Sequence, residues 1–121
     1  LNASITTHLS GIDTALASAG GGGSRPSITE ITSTPYTISI SGTPIEDVYM
    51  CDTGASVVNL PTAVGNEGLK VQIKNRIASA ITVNAPNPGV QQTIDGSNSV
   101  SITSQYESLT FISDNANWNI I

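Results

Sequence analysis

Short runs of alternating apolar and polar residues fill the chain from Ser27 onward. Apolar residues occupy every second position in "YTISI" (36–40), "LKVQIK" (69–74) and "ITVN" (81–84), and a period of two is that of β-strands with one buried face. Residues typical of turns separate the runs. Roughly eight or nine such strands predict an all-β domain over residues 27–121, an antiparallel β-sandwich or a barrel-like domain.

A helical period marks residues 1–19 instead. Four large apolar residues are spaced four, three and four positions apart, in the manner of a heptad seam: Ile5, Leu9, Ile12 and Leu16. A short helix with one narrow apolar stripe is marginal alone in water, and Leu at a with Ile at d favours three or four helices over two. We therefore predict an N-terminal oligomerisation helix. The alternative is that the stripe packs on the chain's own β domain.

Residues 20–26, "GGGGSRP", separate these two regions. Consecutive glycines form a flexible linker, and the proline stiffens its exit. The same letters are used by protein engineers, so either a natural hinge or an inserted linker fits the pattern.

The charge balance excludes several kinds of partner. The chain has four Lys and Arg against nine Asp and Glu, a net charge of -5, and binding to nucleic acid needs many more cations. No apolar stretch approaches the roughly 18 residues that span a bilayer, so no membrane insertion is expected. With one Cys and one His, no internal disulfide is possible and no metal site or cofactor is predicted.

One motif, "YMCDTGAS" (49–56), resembles the half-site of an aspartic protease. A single Asp-Thr-Gly can act only in a symmetric dimer, as in the small, all-β retroviral proteases, where two carboxylates share one proton. The chain departs from that family in two places. Ser113 stands in "TFISDN" (110–115) where the family has a glycine, and no glycine-rich flap follows Gly68. We therefore do not expect an enzyme.

The structural interpretation of the same letters is a turn. Asp52 ends a strand and its carboxylate caps the following backbone, while Gly54 supplies the positive φ of a tight hairpin corner. Asp95 and Gly96, in "TIDG", predict a second turn of this kind.

The order of motifs from about residue 45 onward resembles fibre domains of tailed bacteriophages. An apolar strand ending in Asp52-Thr53 is followed by the other elements in that family's order: "VVNLP", "VGNEGLKVQIKN", "ITVNAP", "TIDG", "SQYESLTFISD" and "NWNII". The segment "HLSGIDTALAS" (8–18) is also similar to the short helix that precedes such domains. The turn "DTGAS" departs from the more Ser- and Gly-rich turn of many relatives.

The resemblance implies a homotrimer in a virus particle, made in the host cytoplasm. The helix would form a neck that contacts other virion proteins, and the β domains would pack around the three-fold axis. The expected function is attachment, through a host surface glycan or protein. A capsid head fibre or decoration protein without a receptor is the alternative, and a dimeric aspartic protease a remote one.

Overall fold

In the computed structural model, the described residues are 25–40, 46–86 and 92–121, and they form strands and turns without a helix. The strands of this part of the chain are β1 (Ser27–Ile31), β2 (Tyr36–Thr37), β3 (Glu46–Cys51), β4 (Val57–Asn59), β5 (Lys70–Asn75), β6 (Ile81–Asn84), β7 (Ser99–Ile102), β8 (Ser108–Ser113) and β9 (Trp118–Ile120). The all-β prediction is confirmed. The predicted helix over residues 1–19, with its seam Ile5, Leu9, Ile12 and Leu16, lies outside the described residues.

The strands form two mixed sheets. The larger, sheet A, has the order β1-β3-β5-β8-β9, and sheet B has the order β2-β4-β6-β7. The first six strands therefore alternate between the sheets along the chain, so that each pair of strands makes one coil around a common core.

The prediction of antiparallel pairing is wrong for these coils. β1, β3 and β5 pair in parallel, as do β2, β4 and β6, and only β7, β8 and β9 add antiparallel partners. Paired residues of parallel neighbours are roughly 20 to 25 positions apart, as in Ser27 with Asp47 and Val57 with Thr82, which is typical of stacked solenoid coils. Each parallel crossover contains a strand of the opposite sheet, which gives it the length that such a connection needs.

Aliphatic side chains from the inner faces of both sheets form one core. Alternation along β5 and β6 buries Val71 and Ile73 from sheet A and Ile81 and Val83 from sheet B. The two sheets therefore bury their apolar faces against each other, as expected for a two-layer domain.

Trp118 in β9 closes this core. Its side chain is fully buried, and its Nε1 donates to the Pro61 carbonyl oxygen at 2.8 Å. Its backbone nitrogen donates to the Thr93 carbonyl oxygen at 2.9 Å, and its own carbonyl oxygen accepts from the Asp95 nitrogen at 3.1 Å. One residue thus joins β9 to two segments that lie far from it in sequence.

The Asp-Thr-Gly turn does not form the predicted hairpin corner. β3 belongs to sheet A and β4 to sheet B, so the turn between them carries the chain from one sheet to the other. Alternation along the flanking strands could not reveal this, because the inner face of a strand has the same pattern whether its sequence neighbour lies beside it or across the core.

Candidate binding groove

Asp52 lies immediately after β3 and is part of an ion cluster with Glu30 and Arg76. The Arg76 Nε donates to Asp52 Oδ1 at 2.7 Å, and the Arg76 Nη2 contacts both Asp52 Oδ2 and, at 3.2 Å, Glu30 Oε1. The side chains of Asp52 and Arg76 are 28% and 33% exposed. The cluster therefore joins β1 to the residues that follow β3 and β5, through one bidentate and one single contact.

The ion pair has a clear electrostatic effect. The hydrogen bond from Arg76 lowers the pKa of the Asp52 carboxyl, and Asp52 in turn raises the pKa of Arg76. The predicted capping of the turn by the Asp52 carboxylate is wrong: the carboxylate accepts from Arg76, and it is the Asp52 backbone carbonyl that accepts from the Ala55 nitrogen, at 3.0 Å. A guanidinium attracts this carboxylate more strongly than neutral amide groups would.

Gly54 allows this turn to pass close to the preceding coil. Its φ is +101°, and a Cβ placed on it would lie 2.4 Å from the Thr32 carbonyl oxygen. Both the left-handed conformation and the contact require a residue without a side chain.

Asp95 and Gly96 form a two-residue turn with φ values of +47° and +84°. The flanking residues Ile94 and Ser97 exchange backbone hydrogen bonds of 2.7 and 2.8 Å, the geometry of a tight turn with two left-handed residues. The Asp95 carboxylate lies 3.3 and 3.4 Å from the Ile120 nitrogen, so this turn also supports β9.

A groove on sheet B contains four polar residues in register, here called the amide row: Thr37, Asn59, Asn84 and Ser99. Thr37 pairs with Asn59, Asn59 with Asn84, and Asn84 with Ser99, so the row crosses all four strands of the sheet. The groove has a volume of about 740 Å³. In β4 and β6 the row residues alternate with buried valines, and they therefore lie on the outer face.

Hydrogen bonds link neighbours along the amide row. The Asn84 Nδ2 donates to Asn59 Oδ1 at 3.0 Å, and the Asn59 Nδ2 donates to Thr37 Oγ1 at 3.2 Å. A side-chain amide has two donor hydrogens and an oxygen with two lone pairs. The bonds within the row therefore use only part of its capacity, and Asn59 and Asn84 are partly exposed.

The rest of the groove lining that the structure describes is uncharged as well. Gln92 is 7% exposed; its Oε1 accepts from the Ala63 nitrogen at 2.7 Å and its Nε2 donates to Thr62 Oγ1 at 2.9 Å. Every described residue that lines the groove lacks a formal charge: Thr37, Asn59, Leu60, Thr62, Asn84, Ala85, Pro86, Gln92, Asn98 and Ser99. The described lining can thus bind a ligand by hydrogen bonds and van der Waals contacts, but it offers no charged group for an ion pair.

The residues of the groove were not among those selected from the sequence. A signal was present, because "VVNLP" (57–61) and "TVNAP" (82–86) repeat Val-Asn-x-Pro at the period of one coil. In each case Asn is the last residue of a strand of sheet B. Internal repeats of this length indicate stacked structural units, and the repeat would have brought Asn59 and Asn84 together.

Comparisons with known proteins do not assign the chain to a family. No protein-family model matches the sequence, and no curated protein matches it either. In the described ranges, no group of three or more His, Cys, Asp and Glu residues could hold a metal ion. No helix in that part of the chain is long and apolar enough to cross a membrane. The groove and the ion cluster are therefore the features from which a function is inferred.

Proposed function

We propose that this chain is a trimeric fibre module of a bacteriophage particle, which attaches the particle through its β domain. The observation that carries the proposal is the groove on the outer face of sheet B, which offers hydrogen-bonding groups without charge. Such a surface suits recognition of a polar ligand more than acid–base chemistry, which needs titratable groups in the site.

The heptad seam supports the oligomeric part of the proposal. Ile5, Leu9, Ile12 and Leu16 would bury a common stripe in a three-helix neck, and the N-terminal region would contact other virion proteins. Three copies of one weak site raise avidity for a repeated surface, because the second and third contacts form within the same complex. This arrangement needs no cofactor.

The surroundings of Asp52 are the reason why we do not propose a protease. In an aspartic protease two carboxylates share one proton, which raises the pKa of one of them. Asp52 instead lies beside Arg76, which lowers its pKa and favours the ionised form. Peptide cleavage at acidic pH that is lost in Asp52→Asn would contradict this interpretation.

The oligomeric state of the full chain tests the proposal. We expect light scattering to give three times the monomer mass, and Leu9→Asp to dissociate the trimer because three carboxylates would meet at one level of the seam. Thr7→Asp adds the same charge away from the seam and is expected to remain trimeric.

Two outcomes would contradict parts of the proposal. A monomer at micromolar concentration with residues 1–19 intact would contradict the trimeric module. Labelled protein found on capsid faces or vertices, and not on tails, would replace attachment with the role of a head fibre or decoration protein.

A further inference from the structure

We propose that the groove around the amide row binds an uncharged oligosaccharide, laid across the four strands of sheet B. This inference rests on the proposed attachment function and names the class of ligand. It follows from the chemistry of the groove, its shape and the rigidity of its side chains.

The chemistry of the row matches that of sugar hydroxyls. A hydroxyl group both donates and accepts a hydrogen bond, and so does each side-chain amide and each Thr or Ser hydroxyl. Among the described residues, Asn59 and Asn84 keep unused donor and acceptor capacity after their bonds within the row, and Asn98 in the lining is exposed. A ligand rich in hydroxyls can satisfy these groups without a change in protonation.

The absence of charge from the ten described lining residues selects among saccharides. Carboxylated or phosphorylated glycans are bound most strongly by Arg and Lys, and the ten lining residues include neither. The chain as a whole carries a net charge of -5, which repels acidic polymers over a distance of about 10 Å at moderate salt. A neutral glycan needs no Arg or Lys in the groove and is not repelled by the negative charge of the chain.

The geometry of the row favours an extended ligand. Neighbouring strands are about 4.8 Å apart, so a row across four strands presents a polar group at three successive steps of that length. A linear chain of sugar rings carries hydroxyls along its whole length and can follow such a row.

The side chains of the site are already held in place. Asn59 is bonded on one side to Thr37 and on the other to Asn84, and Gln92 is fixed by Ala63 and Thr62. Binding therefore immobilises few additional side chains, and this lowers its entropic cost.

Asn75 shows how a structural asparagine in the same molecule differs. It is 0% exposed, its Nδ2 donates to the carbonyl oxygens of Ser79 and Ile102, and its Oδ1 accepts from the Ile77 nitrogen. Asn59 and Asn84 face the groove, and their side chains bond to each other and to Thr37. Their polar groups thus remain accessible to a ligand.

The test uses the full chain and a panel of soluble oligosaccharides. The neutral probes are maltohexaose, cellohexaose and chitohexaose, and a galacturonic acid hexamer is the acidic comparison. The mass of the chain is measured first by light scattering, and calorimetry or ligand-observed NMR then measures binding. Asn84→Ala and Asn98→Ala remove groove amides, whereas Gln72→Ala removes a partly buried amide from sheet A and is the matched control.

We expect at least one neutral hexamer to bind, and each groove variant to weaken it about 5- to 10-fold, the effect of one hydrogen bond. Gln72→Ala should bind as the unchanged protein does. Circular dichroism and thermal unfolding verify that each variant folds.

Other outcomes overturn the inference or the proposed function separately. A folded trimer that binds no neutral hexamer, or prefers the acidic one, overturns the inference and leaves the trimeric module in place. Unchanged binding by both groove variants also overturns it. A monomer whose neutral-glycan binding depends on Asn84 supports the inference and contradicts the trimeric module.

Discussion

The ion cluster on sheet A and the amide row on sheet B both lie where parallel strands end, but their polar groups are used differently. Arg76 directs its guanidinium to Asp52 and Glu30 within the chain, so the ion cluster links successive coils. The amide row forms one hydrogen bond per neighbouring pair of its first three residues and faces a groove. Equivalent positions in one coiled architecture thus link successive coils on one sheet and, as we propose, bind a ligand on the other.

The largest expected effect concerns the turn that carries the ion cluster. Gly54→Ala should lower the free energy of unfolding by about 3 kcal/mol, because it combines a left-handed backbone with a Cβ 2.4 Å from the Thr32 oxygen. Gly65→Ala is the control: its φ is +83° but no atom lies within 4 Å of the added Cβ, and about 1 kcal/mol is expected. Urea unfolding measures both, and equal losses would show that the close approach to Thr32 is unimportant.

A pair of asparagine variants tests the comparison most directly. Asn75→Ala should cost about 2 to 3 kcal/mol, since it leaves buried backbone partners unsatisfied, whereas Asn84→Ala should cost about 1 kcal/mol or less because its partners can bond to water. Thermal or urea unfolding gives both values. If Asn84→Ala were as costly as Asn75→Ala, the amide row would be part of the framework and the contrast between the sheets would fail.

The smallest expected effect is the pH dependence of the ion cluster. The pKa of Asp52 is lowered in the folded state, so the unfolded chain takes up the proton first as pH falls. The stabilisation by Arg76 is therefore complete above about pH 4, the ordinary value for Asp, and is lost as pH falls through the lower, folded value. We expect Tm to fall less between pH 5 and pH 2 in Asp52→Asn than in the unchanged protein.

Asp114 provides the control for that measurement. Its pKa is also lowered, by hydrogen bonds from the Asn117 backbone and the Asn119 side chain and from the Ala116 backbone. Asp114→Asn should remove a separate part of the acid dependence, additive with Asp52→Asn because the two sites share no partner. Identical Tm profiles for Asp52→Asn and the unchanged protein would show that the ion pair adds nothing to stability.

The sequence predicted the strands well where alternation was strong. The runs around Ile73, Val83 and Phe111 are strands with buried alternate residues, because a period of two reports burial directly. β1 (Ser27–Ile31) was missed, since it is an edge strand with only Ile31 fully buried. Of the predicted strand "YTISI" (36–40), only Tyr36–Thr37 is a strand in the structure.

Pairing direction and the groove could not be obtained from alternation. Parallel and antiparallel neighbours bury the same face of a strand, and only the spacing of the Asn59 and Asn84 repeat distinguishes a coil from a meander. Alternation also could not reveal that Arg76 pairs with Asp52. That pairing depends on two coils being stacked, which the spacing of charges along the chain does not reveal.

The position of Trp118 has a consequence for biosynthesis. Its indole bonds to Pro61, 57 residues earlier. The core is therefore closed only when Trp118 and Pro61 have both been synthesised. During synthesis on a ribosome, the apolar faces of the stacked coils would thus stay uncovered until residue 118 has emerged. Contacts between distant residues slow folding, and exposed faces of this kind aggregate. Closure of the core would then be timed by the arrival of one tryptophan.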